Sequence, residues 1–110
     1  MQYQDNIFSK IIRKEIPSDI VYEDDKVLAF NDISPSAPTH ILLVPKGEFV
    51  SFDDFASKST SEDISYFFKK ARQIAEDKKL KDYRIVANCG EKAGQVVFHF
   101  HLHIIGGWEV

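Results

Sequence analysis

The sequence has little of several features that would place it in a specialised class of protein. Its single cysteine, Cys89, excludes an internal disulfide, so the chain is not a disulfide-stabilised secreted scaffold. No apolar run reaches the roughly 18 residues of a membrane span. Residues 1–5 lack the basic and apolar regions of a secretory signal. We therefore expect a cytoplasmic protein that does not bind membranes.

The chain also lacks a large excess of charge of one sign. The chain has 14 Lys and Arg and 17 Asp and Glu residues, for a formal net charge of −3. General nucleic-acid binding requires an excess of cations, so we expect no nucleic-acid partner. The remaining composition, 44% hydrophobic and 28% charged, is typical of globular proteins. A length of 110 residues predicts one domain over residues 1–110.

The pattern of apolar residues predicts an α+β fold, with an antiparallel sheet of about five strands and one short and one long helix. The short helix is expected to begin at a cap on Asp5 and to run to Glu15, before Pro17. The other predicted elements are strands centred on residues 20–22 and 27–30, a loop at 31–38, a central strand at 39–45, an irregular segment with a short helical turn at 47–57, a long helix at about 60–79, a strand at 82–88, a loop at 89–95 and a final strand that includes 97–105. We expect the helices to cover one side of the sheet.

Histidine is concentrated near the end of the chain, where His99, His101 and His103 alternate with apolar residues. Because successive side chains of a strand point to opposite faces, this pattern predicts three imidazoles on one face of the last strand. A purely structural role explains the cluster poorly, since each imidazole needs partners for two ring nitrogens. The cluster therefore predicts a functional site.

Two chemistries use grouped imidazoles. Three histidines with an open position bind catalytic zinc, which here requires the three side chains to converge or His40 to join two of them. Alternatively, a neutral imidazole attacks phosphorus while its neighbours donate hydrogen bonds to the phosphoryl oxygens. The preceding loop contains Gly90 and Gly94, which allow backbone amides to approach an anion. The loop favours nucleophilic catalysis, and zinc binding remains the alternative.

The run His-Phe-His-Leu-His-Ile-Ile at residues 99–105 resembles the signature of the histidine triad family, in which histidines alternate with apolar residues. Residues 7–17 (IFSKIIRKEIP), 30–40 (FNDISPSAPTH) and 44–46 (VPK) are also similar to the Hint branch of that family, the purine nucleoside phosphoramidases. The likeness extends over nearly the whole chain and is weakest at about residues 47–81. It implies the histidine triad fold, with the sheet continued across a homodimer.

The resemblance implies a role for each matching residue. His101 would be the nucleophile that forms a nucleotidyl intermediate, His99 would orient it through a backbone carbonyl, and His103 would contact phosphate oxygens. The resemblance also implies that His40 completes the histidine group and that Asp32 accepts the ribose hydroxyls. The residues that would surround the purine are Ile7, Phe8, Ile11, Phe30 and Ile33. Those that would surround the phosphate are Asn88, Gly94 and Gln95, and Val96 would offer its backbone amide near the leaving group. From the residues alone, Asp32 is equally explained as a turn residue, and the five apolar residues are better explained as core.

The predicted function is hydrolysis of the P–N bond of purine nucleoside phosphoramidates, or of related nucleoside monophosphate esters and anhydrides. No cofactor or metal is expected, because imidazoles and backbone amides can stabilise the developing charge. Two features depart from the family: Val96 stands where some relatives have a serine that donates to the leaving group, and only residues 108–110 follow Gly107. They leave open a regulatory nucleotide-binding protein with little catalysis. Within the family, hydrolysis of dinucleoside polyphosphates is the other alternative.

Overall fold

The computed structural model describes residues 1–108, so the predicted effect of the short chain end, which involves Glu109 and Val110, falls outside the described residues. The strands are β1 (Ile20–Glu23), β2 (Val27–Asn31), β3 (Thr39–Pro45), β4 (Tyr83–Val86) and β5 (Leu102–Gly106). The helices are α1 (Ile7–Ile12), α2 (Phe52–Lys58) and α3 (Ser61–Asp77), with a 3₁₀ turn at Glu91–Ala93. All neighbouring strands are antiparallel, in the order β1-β2-β3-β5-β4. The predicted α+β fold with a five-stranded antiparallel sheet is confirmed.

The two faces of the sheet are covered by different helices. In β2, Val27 and Ala29 belong to an apolar cluster that also contains residues of α2 and α3. Leu28 and Phe30, which alternate with them, join a second cluster with residues of α1. The expectation that helices cover one side was therefore wrong. Residues 40–45 of β3 are all buried, and a strand that is apolar on both faces requires a covering layer on each.

Helix α1 is shorter than predicted, and its cap is Asn6 rather than Asp5. The Asn6 side chain accepts hydrogen bonds from the backbone N–H groups of Phe8 and Ser9, and the Ser9 hydroxyl accepts one from the Asn6 N–H. This reciprocal arrangement is a capping box. The helix ends at Ile12, well before Pro17, because Lys14 adopts a left-handed conformation with φ 65°.

Strand β5 begins later than predicted, because regular pairing with β3 starts at Leu102. Extending that register would place Phe100 opposite Pro45, which has no N–H to donate to the ladder. The Phe100 N–H instead donates to the carbonyl of Phe49 at 2.7 Å. The alternation of faces nevertheless continues, since Phe100, Leu102 and Ile104 all belong to the α2–α3 cluster. His101 and His103 therefore point to the other face, where α1 lies.

The segment after β3 contains a helix where only a short helical turn was expected. The Ser51 side chain caps α2 by accepting a hydrogen bond from the backbone N–H of Asp54, and Phe55 buries against the sheet. Among the helices of residues 1–108, none is long and apolar enough to cross a membrane.

Candidate active site

A cavity of about 430 Å³ opens on the α1 face of the sheet. Its lining is mostly apolar and comes mainly from α1 and the residues after it, from the last residues of β2 and the loop that follows, and from the segment that precedes β5. The predicted site residues that line it are Ile7, Phe8, Ile11, Phe30, Asp32, Ile33, Asn88, Gly94, Val96, His101 and His103. Three others, His40, Gln95 and His99, are buried and do not line it. The structure thus brings most of the predicted residues into one space and buries the other three outside its lining.

His101 lies in the cavity with one ring nitrogen held by the backbone. Its Nδ1 is 2.8 Å from the carbonyl oxygen of His99, and because a carbonyl can only accept, Nδ1 must hold the proton. The neutral ring therefore keeps an unprotonated Nε2. The Phe8 ring stands edge-on to the imidazole, with 5.0 Å between the ring centroids. Burial lowers the pKa of His101 below its usual value, which favours the neutral, nucleophilic form.

His99 is 1% exposed and supports this arrangement from below. Its Nε2 donates to the Pro45 carbonyl oxygen at 2.7 Å, so its Nδ1 has no proton and accepts from the Tyr3 hydroxyl, also at 2.7 Å. Burial lowers the pKa of His99 to about 4, so the ring is neutral near pH 7. His99 thus presents only its carbonyl to His101, and both of its ring nitrogens are occupied.

His40 and His103 form a relay that ends in the cavity. The backbone N–H of Ser36 donates to His40 Nδ1 at 3.1 Å, so in the neutral ring Nε2 holds the proton. That Nε2 is 2.9 Å from Nδ1 of His103 and donates to it. His103 must then hold its own proton on Nε2. Burial, followed by the neighbouring histidines, lowers the pKa of His103 to about 4, so the ring is a neutral hydrogen-bond donor.

The Asp32 side chain both stabilises a turn and lines the cavity. One carboxylate oxygen accepts from the Ser34 N–H at 2.8 Å, which fixes the loop after β2. The other lies 3.4 Å from His40 Nε2. The side chain is 19% exposed and lines the cavity, so an oxygen remains available to a bound hydroxyl group.

Asp32, His40 and His103 lie close enough together to hold a metal ion, with their nearest donor atoms within 4.8 Å. The hydrogen bonding does not suit this use. A histidine that binds a metal through Nε2 donates its Nδ1–H to an acceptor, whereas Nδ1 of His40 faces the Ser36 N–H, a donor. The geometry therefore favours the relay over a metal-ligand set.

The loop between β4 and β5 is held by Gln95, whose side chain is directed into the protein. Its Oε1 accepts from the Gly90 N–H at 2.9 Å, and its Nε2 donates to the carbonyls of Val50 and Val97. Gln95 is thus placed to support the loop rather than to contact a ligand directly. Gly94 has φ +99°, which ordinary residues rarely adopt, and this conformation lets the backbone line the cavity.

Sequence reasoning missed several residues of the site. Further cavity-lining residues are Ile16, Pro17, Ser18, Asn31, Leu42 and Val97. Periodicity identifies some of these as core but does not indicate which core residues border a cavity. Tyr3 was also missed, because nothing in the first six residues signals that the chain returns to the histidines.

The sequence pattern of the HIT domain family matches residues 13–110. An uncharacterized HIT-like protein of Rickettsia prowazekii is 49% identical over 109 residues, which cover 97% of this chain and 91% of the relative. The purine nucleoside phosphoramidase of Escherichia coli is 44% identical over 106 residues, which cover 94% of this chain and 88% of the relative.

Solved structures agree with these sequence matches. A HIT family hydrolase from Clostridium thermocellum superposes with a TM-score of 0.88 at 40% identity, and the match covers 99% of this chain and 96% of that one. A histidine triad protein from Clostridium difficile superposes with a TM-score of 0.84 at 42% identity, with coverage of 100% and 96%. With the triad, the fold and the relatives in agreement, this chain belongs to the HIT domain family.

Proposed function

We propose that this protein is a hydrolase that cleaves the P–N bond of purine nucleoside phosphoramidates, or related nucleoside monophosphate esters and anhydrides. The observation that supports this most is the proton arrangement of two imidazoles. In the cavity, His101 presents an unprotonated Nε2 and His103 presents an Nε2–H, as required of a nucleophile and a donor to phosphoryl oxygen.

The apolar part of the cavity suits a purine. Phe8 and Ile11 of α1 and Phe30 of β2 line it, and the rings of Phe8 and Phe30 pack edge-on with 5.5 Å between their centroids. A flat, apolar base gains free energy by leaving water for such an apolar surface. Asp32 lines the same cavity 3.4 Å from His40, so we propose it as the acceptor for the ribose hydroxyls, with the phosphorus toward the histidines.

The proposed reaction has two displacement steps. Nε2 of His101 bonds to phosphorus as the P–N bond breaks, and the departing amine takes up one proton. Water then attacks phosphorus, displaces His101 and releases one proton, so the products are a nucleoside monophosphate and an amine. The His99 carbonyl stabilises the imidazolium that forms in the first step, because it accepts from Nδ1.

The charge of the cavity favours monophosphate derivatives over dinucleoside polyphosphates. Of the described residues that line it, none is Lys or Arg, and one, Asp32, is acidic. Polyphosphates contain several negative charges that proteins usually offset with cations. A phosphoramidate has a single ionised phosphoryl oxygen, for which imidazole and backbone N–H donors suffice. The name of the Escherichia coli relative supports the same substrate class.

A homodimer is the proposed assembly. Strand β4 is at one edge of the sheet, with Tyr83 and Ile85 37% and 45% exposed. An exposed apolar edge strand is a template for pairing with another strand. A second copy of the chain would extend the sheet there, as the family resemblance implies.

The proposal is tested by hydrolysis of adenosine 5′-phosphoramidate with protein from which metals have been removed by chelation. Wild-type protein should release AMP, and His101→Ala should show no turnover while keeping its fold by circular dichroism. Glu91→Ala, in the exposed neighbouring loop, is the control and should retain activity. Turnover in His101→Ala would contradict the mechanism.

The same experiment distinguishes the proposed hydrolase from the alternative, a regulatory nucleotide-binding protein with little catalysis. Val96 lines the cavity and is 83% exposed, yet its side chain offers no donor to a leaving group. If the wild-type protein binds AMP but hydrolyses no phosphoramidate, the hydrolase proposal is wrong and nucleotide binding is the function.

A further inference from the structure

We infer that Tyr3 is a positioning residue for His101, acting through the side chain and carbonyl of His99. The inference rests on the proposed function for its kinetic consequence, whereas the contact itself can be tested without substrate. Tyr3 lies outside residues 13–110, the part of the chain that matches the family pattern.

The contact is a directed hydrogen bond between the N-terminal segment and the buried first histidine of the triad. The Tyr3 hydroxyl lies 2.7 Å from His99 Nδ1, and the two rings meet edge-on with 5.6 Å between centroids. Since Nε2 of His99 donates to the Pro45 carbonyl, Nδ1 can only accept. The phenol is therefore the donor, and the direction of the bond is fixed.

This bond completes the partners of His99. Its ring is almost wholly buried, so an unpaired Nδ1 would be costly and would favour a rotated ring or an entering water. Either change disturbs the residue whose carbonyl accepts from His101 Nδ1 at 2.8 Å. That acceptor keeps the free electron pair of His101 on Nε2. Loss of the Tyr3 hydroxyl should therefore disturb the tautomer and orientation of His101, the proposed nucleophile.

The hydroxyl has a role distinct from that of the ring. A phenylalanine would keep the edge-on ring contact and nearly all of the apolar burial but would remove the donor. Tyr3 does not line the cavity, so its loss should not remove a direct contact with a ligand. A positioning role therefore predicts a lower kcat with little change in KM, whereas a binding role predicts the reverse.

The test compares wild-type protein with Tyr3→Phe in kinetics and in the ring-nitrogen NMR signals of the histidines. We expect kcat for adenosine 5′-phosphoramidate to fall roughly five- to tenfold, as for the loss of one buried hydrogen bond, with KM nearly unchanged. In long-range ¹H–¹⁵N spectra, His99 should change from a single Nε2–H tautomer to a shifted or exchanging signal.

Tyr22→Phe is the matched control. The Tyr22 hydroxyl also donates a partly buried hydrogen bond, to Asp24 at 2.8 Å, but its ring packs against the α2–α3 cluster on the opposite face of the sheet. This variant should lose thermal stability while keeping the wild-type kcat and the wild-type His99 signals.

Two results would overturn the inference. One is a Tyr3→Phe protein with wild-type kcat and unchanged His99 signals. The other is an equal fall in kcat in Tyr22→Phe, which would indicate a general loss of stability. If the wild-type protein has no phosphoramidase activity, the proposed function fails, and the His99 and His101 signals still decide whether Tyr3 fixes the tautomers.

Discussion

At the residue scale, the proposed chemistry depends on which nitrogen of each imidazole holds a proton. Three backbone groups that contact the histidines have fixed roles: the Ser36 N–H donates, and the carbonyls of Pro45 and His99 accept. These three groups leave one neutral tautomer for each of the four histidines. Displacement of any of these backbone groups should therefore change the tautomer of a histidine, even though the group itself contacts no ligand.

The pH dependence that we expect for the proposed activity follows from the burial of His101. Since the pKa of its imidazole is lowered below 6.5, the neutral nucleophile persists to lower pH than a free imidazole would. The acid limb of kcat/KM for adenosine 5′-phosphoramidate should have its midpoint below pH 6.5. A midpoint at or above 6.5 would contradict a buried, neutral nucleophile.

His99 should also make folding stability depend on pH. Its pKa is about 4 in the folded state and 6.5 as the ordinary value, so the unfolded chain binds more protons between these values. Its contribution is fully present above pH 6.5 and is lost as the pH falls toward 4, by up to about 3 kcal/mol. Urea unfolding at fixed protein concentration from pH 7 to pH 4 measures this loss.

The comparison protein for that titration is His99→Gln, which keeps a donor for the Pro45 carbonyl but does not titrate. Its free energy of unfolding should be lower at pH 7 and should fall less steeply toward acid. Parallel curves for the two proteins would show that His99 is not the titrating group.

At the scale of single elements, α1 connects local sequence to the cavity. The Asn6 cap fixes the helix that presents Phe8 to His101, so Asn6→Ala should lower the free energy of unfolding by about 1 kcal/mol and raise KM for the nucleotide. Urea unfolding and steady-state kinetics measure the two effects.

Thr60→Ala offers a control with the same chemistry. Thr60 caps α3 by accepting from the Asp63 N–H at 3.0 Å, and α3 covers the face of the sheet opposite the cavity. Loss of the Thr60 cap should lower the free energy of unfolding by a similar amount without changing KM for the nucleotide. Equal rises in KM for both variants would argue against a specific role of α1.

The elements also differ in how well the sequence predicts them. The apolar run of β3 predicted its bounds, because a doubly buried central strand has few competing interpretations. The start of β5 was not predictable from alternation alone. It depends on Pro45, a residue far away in sequence whose missing N–H ends the ladder, and only the register of the two strands reveals that they meet.

For the site, too, the sequence predicts some features and not others. The alternation of His99, His101 and His103 predicted that these side chains share a face, and the structure places His101 and His103 in the cavity. The resemblance predicted a contact between His101 and the His99 carbonyl, which the structure also contains. The deep burial of His99 and its bond to Tyr3 depend on the path of the first six residues, which have no periodic pattern.

At the scale of the whole molecule, the proposed homodimer predicts a mass of twice the 12.6 kDa of one chain in light scattering. Ile85→Lys should shift the protein toward monomer, because a charged residue on an exposed edge strand opposes further strand pairing. Thr60→Ala, at the cap of α3 and not on that strand, should not shift the protein toward monomer. A wild-type monomer at micromolar concentration would contradict the proposed assembly.

The proposed reaction passes through a covalent bond to one atom, Nε2 of His101. The most direct measurement is the intact mass of protein quenched within milliseconds of mixing with adenosine 5′-phosphoramidate, followed by mapping of the modified peptide. We predict a transient adduct of one adenosine monophosphate group on His101, absent from His101→Ala. AMP release without any adduct, or an adduct on another residue, would contradict the proposed mechanism.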